Sequence, residues 1–164
     1  MKTLYLIGGP MGVGKTTVCR ELQRLLPQSV FLDGDWCWDA DPFQVTEETK
    51  EMVLDNITHL LNNFTRCTVY ENIIFCWVMH EQSIIDSILE RLEPETCTVR
   101  QISLLAEETT LRMRLSEDIK NGLRAEDVIE RSLARLPLYE NLSTEKIITD
   151  GKNVRMIADE IING

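Results

Sequence analysis

Apolar positions along the chain alternate between short continuous runs and stripes of helical period, from one end to the other. Thr3 to Ile7 is an apolar run closed by glycines, and Val18, Leu22, Leu25 and Leu26 follow at helical spacing, so the chain opens strand, glycine-rich loop, helix. Val30 to Leu32 predicts a second buried strand, ended at Asp33-Gly34-Asp35, with an acidic, aromatic loop behind it. Thr46 followed by Glu47 and Glu48 has the make-up of a helix N-terminus, and Val53, Ile57, Leu60, Leu61 and Phe64 supply one apolar face. Cys67 to Phe75 predicts a third strand, and Ile84, Ile85, Ile88, Leu89 and Leu92 a helical stripe stopped before Pro94. Thr98 to Leu105 predicts a fourth strand and Glu107 to Lys120 a helix. Asn121-Gly122 breaks that helix before a second stretch, from about Ala125 to Arg135, which Pro137 closes. Ile147 to Thr149 is a fifth short strand, and Val154, Ile157, Ala158 and Ile161 line a final helix.

Strands alternating with helices imply βαβ units, hence an α/β fold with a parallel sheet covered on both faces and ligands at the carboxyl ends of its strands. At 164 residues the chain has the length of one compact domain, which buries roughly 70% of the surface its unfolded form exposes. A composition 43% apolar and 27% charged fits one domain over residues 1–164 with no disordered linker. The formal net charge of −10 makes the average surface repel nucleic acid and anionic lipid, leaving room only for a local basic patch, for which the arginines of the 112–135 region are candidates. Five scattered cysteines with no C-x-x-C pair suggest neither a disulfide framework nor a zinc site, and fit a reducing cytoplasm. The apolar run Leu4 to Ile7 is too brief for a signal segment or a membrane span.

Gly9-Pro10-Met11-Gly12-Val13-Gly14-Lys15-Thr16 fits G-x-x-x-x-G-K-[ST] and lies between a predicted strand and a predicted helix, the context this pattern requires. Glycines let such a loop wrap with its N–H groups pointing inward, and the helix starting near Lys15 adds its positive dipole end. Lys15 can reach the β- and γ-phosphates of a nucleoside triphosphate, and the Thr16 hydroxyl can ligate Mg²⁺. MgATP is the expected ligand. Thr17 follows directly and either joins the cradle or, with Val18 and Cys19, packs and caps the helix.

Asp33 and Asp35 alternate across Gly34, so an extended strand would point them to opposite faces and give them separate jobs. One could serve the Mg²⁺ shell and the other accept a proton from an attacking hydroxyl, the plainer reading being a turn with two solvated aspartates.

The loop GGPMGVGKTT, the strand end FLDGDW, the L-x-x-R element from Leu111 to Arg114 and a tyrosine-bearing stretch before the last strand resemble the small-molecule kinases grouped around shikimate kinase, gluconate kinase and chloramphenicol phosphotransferase. The resemblance spans most of the chain. It implies a three-layer P-loop NTPase fold, a five-stranded parallel sheet with helices on both faces and a helical lid at about 115–135. It also implies ATP and Mg²⁺ as cofactors and a γ-phosphate transfer to a hydroxyl. By this likeness Asp35 matches the position facing the acceptor as base or orienter, Asp33 the one near magnesium, Arg114 the arginine flanking adenine, and Arg124 a mobile lid arginine. Arg135, in Arg135-Leu136-Pro137-Leu138-Tyr139, matches an arginine facing the acceptor, and Thr149-Asp150-Gly151 lies where the loop after the last strand passes the adenine. The chain departs from shikimate kinases in having no Gly-Gly after its third strand, which argues against shikimate as acceptor. Glu71-Asn72 stands where many relatives carry an aspartate, so Glu71 is either a magnesium-shell carboxylate or a strand-end residue.

Between Arg24 and Arg66 the only basic residue is Lys50, so the region offers no cationic clamp for a phosphorylated or carboxylated acceptor. The tract Asp33 to Phe43 offers carboxylates and aromatic faces instead, suited to neutral or cationic acceptors. Trp36, Trp38, Trp77 and His80 either line that cleft or simply pack. Arg112 and Arg131 read as surface partners of nearby carboxylates, whereas Arg114 and Arg124 flank the Asn121-Gly122 break of a hinged lid. A nucleotide hydrolase or switch is a second reading, although the chain has no N-K-x-D element and no apolar strand ending Asp-Glu. A catalytically silent ATP-binding regulator is a third. The expected partner is a small-molecule acceptor, with the protein a cytoplasmic monomer or dimer that meets neither nucleic acid nor membrane.

Overall fold

The computed structural model describes residues 2–93 and 97–164; Pro94, the expected stop of a helix, lies outside them. Five parallel strands form one sheet: β1 (Thr3–Gly8), β2 (Ser29–Asp33), β3 (Asn72–Cys76), β4 (Thr98–Leu105) and β5 (Glu145–Ile148), in the order β2-β3-β1-β4-β5. β1 is central. Its side chains alternate between two cores: Tyr5 and Ile7 pack beneath α1 (Lys15–Leu25) and α6 (Val154–Asn163), Leu4 and Leu6 beneath α2 (Glu47–Arg66) and α3 (Gln82–Arg91). β3 repeats the split, with Ile74 and Cys76 on the first side and Ile73 and Phe75 on the second. Burial on both faces explains why these strands read as continuous apolar runs. The expected parallel α/β sheet with helices on both faces is the observed one.

The helices follow their stripes. Thr46 caps α2 through a reciprocal bond pair, its hydroxyl accepting from the Thr49 N–H while the Thr49 hydroxyl accepts from the Thr46 N–H. Val53, Ile57 and Leu61 of that helix are buried. α4 (Glu108–Lys120) ends at Asn121-Gly122, where Gly122 adopts a φ of 70°, and α5 (Val128–Arg135) resumes the path. No helix among the described residues is long and apolar enough to cross a membrane.

Several boundaries differ from expectation, among them the fifth strand, which spans Glu145–Ile148 rather than Ile147 to Thr149. The third strand starts at Asn72 rather than Cys67, because α2 runs to Arg66 and residues 67–71 turn back, leaving Val69 61% exposed. The helix after the Gly122 break starts at Val128 rather than Ala125, and beyond Arg135 the chain tightens into a 3₁₀ helix, Leu136–Asn141, that accommodates Pro137 in its first turn. The second strand does not stay extended through Asp35: a 3₁₀ turn begins at Gly34.

Candidate functional site

The glycine-rich segment forms the turn from β1 into α1. Gly9 has a φ of 152° and a Cβ there would lie 2.7 Å from the Leu104 carbonyl oxygen; Gly12 has a φ of 85° and a Cβ would lie 2.7 Å from Leu115 Cδ2. Both positions are left-handed and crowded, the first against β4 and the second against α4, so only glycine fits. The Lys15 ammonium donates to the carbonyls of Gly9 at 2.8 Å and Pro10 at 3.1 Å, folded back across its own loop. Burial holds its pKa below the usual lysine value, against the opposing pull of Cys76 and Asp35.

The Thr16 hydroxyl donates to Asp33 Oδ2 at 2.8 Å, and Asp33 Oδ1 accepts the backbone N–H of Asp35 at 3.0 Å. Asp33 is buried at the end of β2, and its side chain caps the 3₁₀ turn that carries Asp35. The tight turn corrects the expectation of opposite faces: Asp33 and Asp35 both line one cleft. A Cβ on Gly34 would fall 2.6 Å from the Trp77 ring, just beyond the end of β3, so the turn admits only glycine at this position. The Trp77 side chain lines the same cavity as the Asp35 carboxylate and stands near enough to influence its proton affinity. Asp35 is open to the cleft, yet the surrounding protein and the charge of Asp33 hold its carboxyl above the usual carboxylate value, with Lys15 and Arg124 pulling the other way.

The cleft is a cavity of about 610 Å³. Its floor is the loop from Met11 to Thr17, without Val13, whose side chain is buried beneath it. Asp33, Asp35, Trp77 and Val78 form one wall, and Met113, Arg114, Glu117, Asp118 and Arg124 the other. Arg114 donates to the Val13 carbonyl at 3.2 Å and to Thr149 Oγ1 at 3.4 Å. Arg124 Nε donates to Asp118 Oδ2 at 3.0 Å, which parks the arginine at the rim. Lys15, Arg114 and Arg124 line the cavity together with the carboxylates Asp33, Asp35, Glu117 and Asp118, so cations and acids alternate around it.

Other candidates lie elsewhere. Trp36 is 53% exposed on the edge strand side, edge-on to Phe31 at 5.3 Å and beneath the Arg20 guanidinium. Trp38 packs against Phe43 in a tilted pair, ring centroids 4.5 Å apart, beside the α2 core. Neither ring lines the cavity, because the 3₁₀ turn carries both away from the ends of β1 and β3. Arg135 is also outside the lining, close enough to His80 for its charge to join burial in lowering the imidazole pKa. Asp150 accepts the Glu107 N–H at 2.9 Å and the Thr110 hydroxyl at 2.5 Å, so it braces the start of α4. Glu71 precedes β3 at the amino ends of the strands, a strand's length from the loop, which leaves only its strand-end reading. Arg112 pairs with Glu108 and Arg131 with Asp127 on the surface.

Two contacts near the site escaped the sequence reading, neither from a residue that lines the cavity. Arg20, one helix turn beyond Thr16, stands 4.8 Å from the Phe31 ring centroid, a basic group next to the tract taken as free of cations. Ser132, fully buried in α5, donates to the Met11 carbonyl at 2.7 Å. A lone serine on an amphipathic helix gives no signal of such a contact.

A five-stranded parallel sheet whose central strand feeds a G-x-x-x-x-G-K-T loop into a helix, with a lysine, a threonine and a carboxylate around one cavity, defines a nucleoside-triphosphate-binding α/β protein of the P-loop class. Within that class the chain belongs to the AAA domain family, whose model matches residues 6–134. It is similar to shikimate kinase of Photobacterium profundum, at 24% identity over 99% of this chain and 93% of the relative. Among solved structures it is similar to the tunicamycin resistance protein of Deinococcus radiodurans, with a TM-score of 0.78 and 19% identity over 99% of this chain and 95% of the other. A gluconokinase of Sinorhizobium meliloti superposes with a TM-score of 0.70 and 17% identity over 98% and 90% of the two chains. These structural likenesses establish the fold.

Proposed function

We propose that the chain is an ATP-dependent phosphotransferase that moves the γ-phosphate of MgATP to a hydroxyl of a small, non-phosphorylated metabolite or antibiotic. The observation that carries this reading is the placement of Asp35 in the same cleft as Lys15, Thr16 and Asp33, with its carboxyl held above the usual carboxylate value and so made a stronger base than a free aspartate. The kinase and antibiotic-resistance relatives support it by analogy.

In this mechanism the loop amides and Lys15, released from the Gly9 and Pro10 carbonyls, stabilise charge on the transferring phosphoryl group. Thr16 and Asp33 would hold Mg²⁺: a hydroxyl and a carboxylate already 2.8 Å apart suit a cation that takes one or two protein oxygens and fills its shell with phosphate and water. The ion, when bound, neutralises charge between the β- and γ-phosphates. Asp35 takes the proton of the acceptor hydroxyl as its oxygen bonds to the γ-phosphorus, and the bond to the β,γ-bridging oxygen breaks to release ADP. Arg124 exchanges Asp118 for the phosphates when the 121–127 segment closes, excluding water from the transfer. Arg114 flanks the adenine.

The cations of the cleft serve the donor, and the acceptor side presents Asp35 and the face of Trp77, so neutral or cationic acceptors are favoured over phosphorylated ones. A coupled ADP-release screen over nucleosides, sugars, sugar acids, shikimate, aminoglycosides and chloramphenicol-like alcohols tests this. The expected result is one or more hydroxylated, non-phosphorylated acceptors whose turnover disappears in Lys15→Ala. ATP binding without acceptor-dependent ADP release across the panel would overturn the kinase reading, and a nucleoside monophosphate as best substrate would overturn the acceptor class.

A further inference from the structure

The phosphate loop is held from outside by the two helices that flank the lid segment. Ser132 of α5 is fully buried and absent from the cavity lining, yet its hydroxyl donates to the Met11 carbonyl at 2.7 Å. Arg114 of α4 takes the Val13 carbonyl at 3.2 Å, and Leu115 of α4 fills the space against Gly12. In a trans peptide the carbonyl of one residue and the N–H of the next share a plane and point in opposite directions. Drawing the Met11 carbonyl into the protein therefore turns the Gly12 N–H toward the cavity, and drawing in the Val13 carbonyl turns the Gly14 N–H the same way. Gly12 and Gly14 have left-handed φ values of 85° and 99°, and the open conformational range of glycine means that their neighbours must supply the restraint.

We propose that Ser132 is a positioning residue of the phosphate loop: its hydroxyl, anchored in the helix after the lid, fixes the Met11–Gly12 peptide so that the Gly12 N–H is preset for the terminal phosphates of a bound nucleotide. The inference rests on the reading of the loop as a triphosphate cradle. Arg114 performs the same service two peptides further on, from the helix before the lid. Both stems of the lid are thereby tied to the loop, and only the short segment carrying Arg124 is left to move. Preorganised donors of this kind need no rearrangement when charge arrives, which is where their contribution lies.

The test is Ser132→Ala, a truncation that adds no atoms to a buried site, read by calorimetric binding of ATP and of AMP together with thermal melting. ATP affinity is expected to fall about tenfold, the scale of one lost hydrogen bond to a preset group, while AMP affinity stays within about twofold. Equal losses for ATP and AMP, or parental affinity for both, would overturn the inference, because a packing role predicts no dependence on the terminal phosphates. Ser132→Cys, close in volume but a weak donor, should show the same selective loss; parental ATP affinity in that variant would assign the effect of Ser132→Ala to the cavity it leaves. A parental protein that binds no ATP would sink the functional reading and this inference with it, an outcome distinct from selective failure in the variants.

Discussion

The Thr16 hydroxyl and the Asp33 carboxylate stand 2.8 Å apart, joining the first turn of α1 to the end of β2 across two separate βα units. The same carboxylate accepts the Asp35 N–H with its other oxygen, so both of its oxygens are engaged. Asp33→Asn replaces one acceptor by a donor facing the Asp35 N–H or the Thr16 hydroxyl. The variant is expected to lose about 1–3 kcal/mol of stability, as for hydrogen bonds to a buried charged group, and to need at least about tenfold more Mg²⁺ for half-maximal turnover. Thermal melting and a Mg²⁺ titration of ADP release measure the two effects separately.

Asp35 should behave in the opposite way. Its folded-state pKa is raised by burial and by Asp33, so between the unfolded and folded values the native state binds more protons, and stability falls as pH rises through that window. Asp35→Asn removes this penalty. It is expected to melt no lower than the parent above that window, while acceptor-dependent ADP release drops at least about 100-fold. In the parent, kcat/KM should rise with pH along an acid limb whose midpoint lies above the ordinary carboxylate value, and the limb should vanish in the variant. A variant that melts lower and keeps its activity would contradict both parts.

Gly34 and Trp77 make a steric pair. Because a Cβ at Gly34 would meet the indole ring at 2.6 Å, Gly34→Ala must displace Trp77 and with it the ring that lines the cavity beside Asp35. The expected cost is about 1–3 kcal/mol, typical of overpacking, with a shifted tryptophan emission and reduced turnover. Unchanged emission and melting would show that the turn has slack.

Arg124 and Asp118 form an ion pair in the wall of the cleft. Arg124→Ala is expected to lower kcat at least about 100-fold, since an arginine supplied to a phosphoryl transition state contributes on that scale or above it. Asp118→Asn removes the carboxylate that parks Arg124 at the rim and should tighten ATP about two- to fivefold, the size of one partly exposed ion pair. Steady-state kinetics and ATP titrations of the two variants separate these effects, and weaker ATP binding in Asp118→Asn would assign that carboxylate a direct structural role.

Features with local causes were legible in the residues alone. The loop from Gly9 to Thr16 needs only its own glycines, lysine and threonine between a strand and a helix, and β4 runs from Thr98 to Leu105 as the apolar run indicated. Features set by distant contacts were not. The space at Gly34 is taken up by Trp77, more than forty residues on, and the turn there makes two aspartates read as facing apart into neighbours in one cleft while Trp36 and Trp38 lie outside it. Residues 67–71 contain Val69 and Tyr70 and read as strand, but the extra turns of α2 leave them to form the return. Ser132 reaches Met11 only because α5 folds back over the loop.

The Val78 carbonyl accepts the Tyr139 hydroxyl and, at 3.4 Å, the Gly9 N–H, while β1 is bordered on both sides by strands from the middle of the chain. During synthesis the first sixteen residues therefore leave the ribosome long before the groups that shape them. β3 must follow, then β4, then Ser132 and Tyr139. The earliest segment to be made is thus among the last to reach its working form. A nucleotide that binds this loop can stabilise only the nearly complete chain, so ATP would act on the late steps of folding and leave the nascent ones untouched.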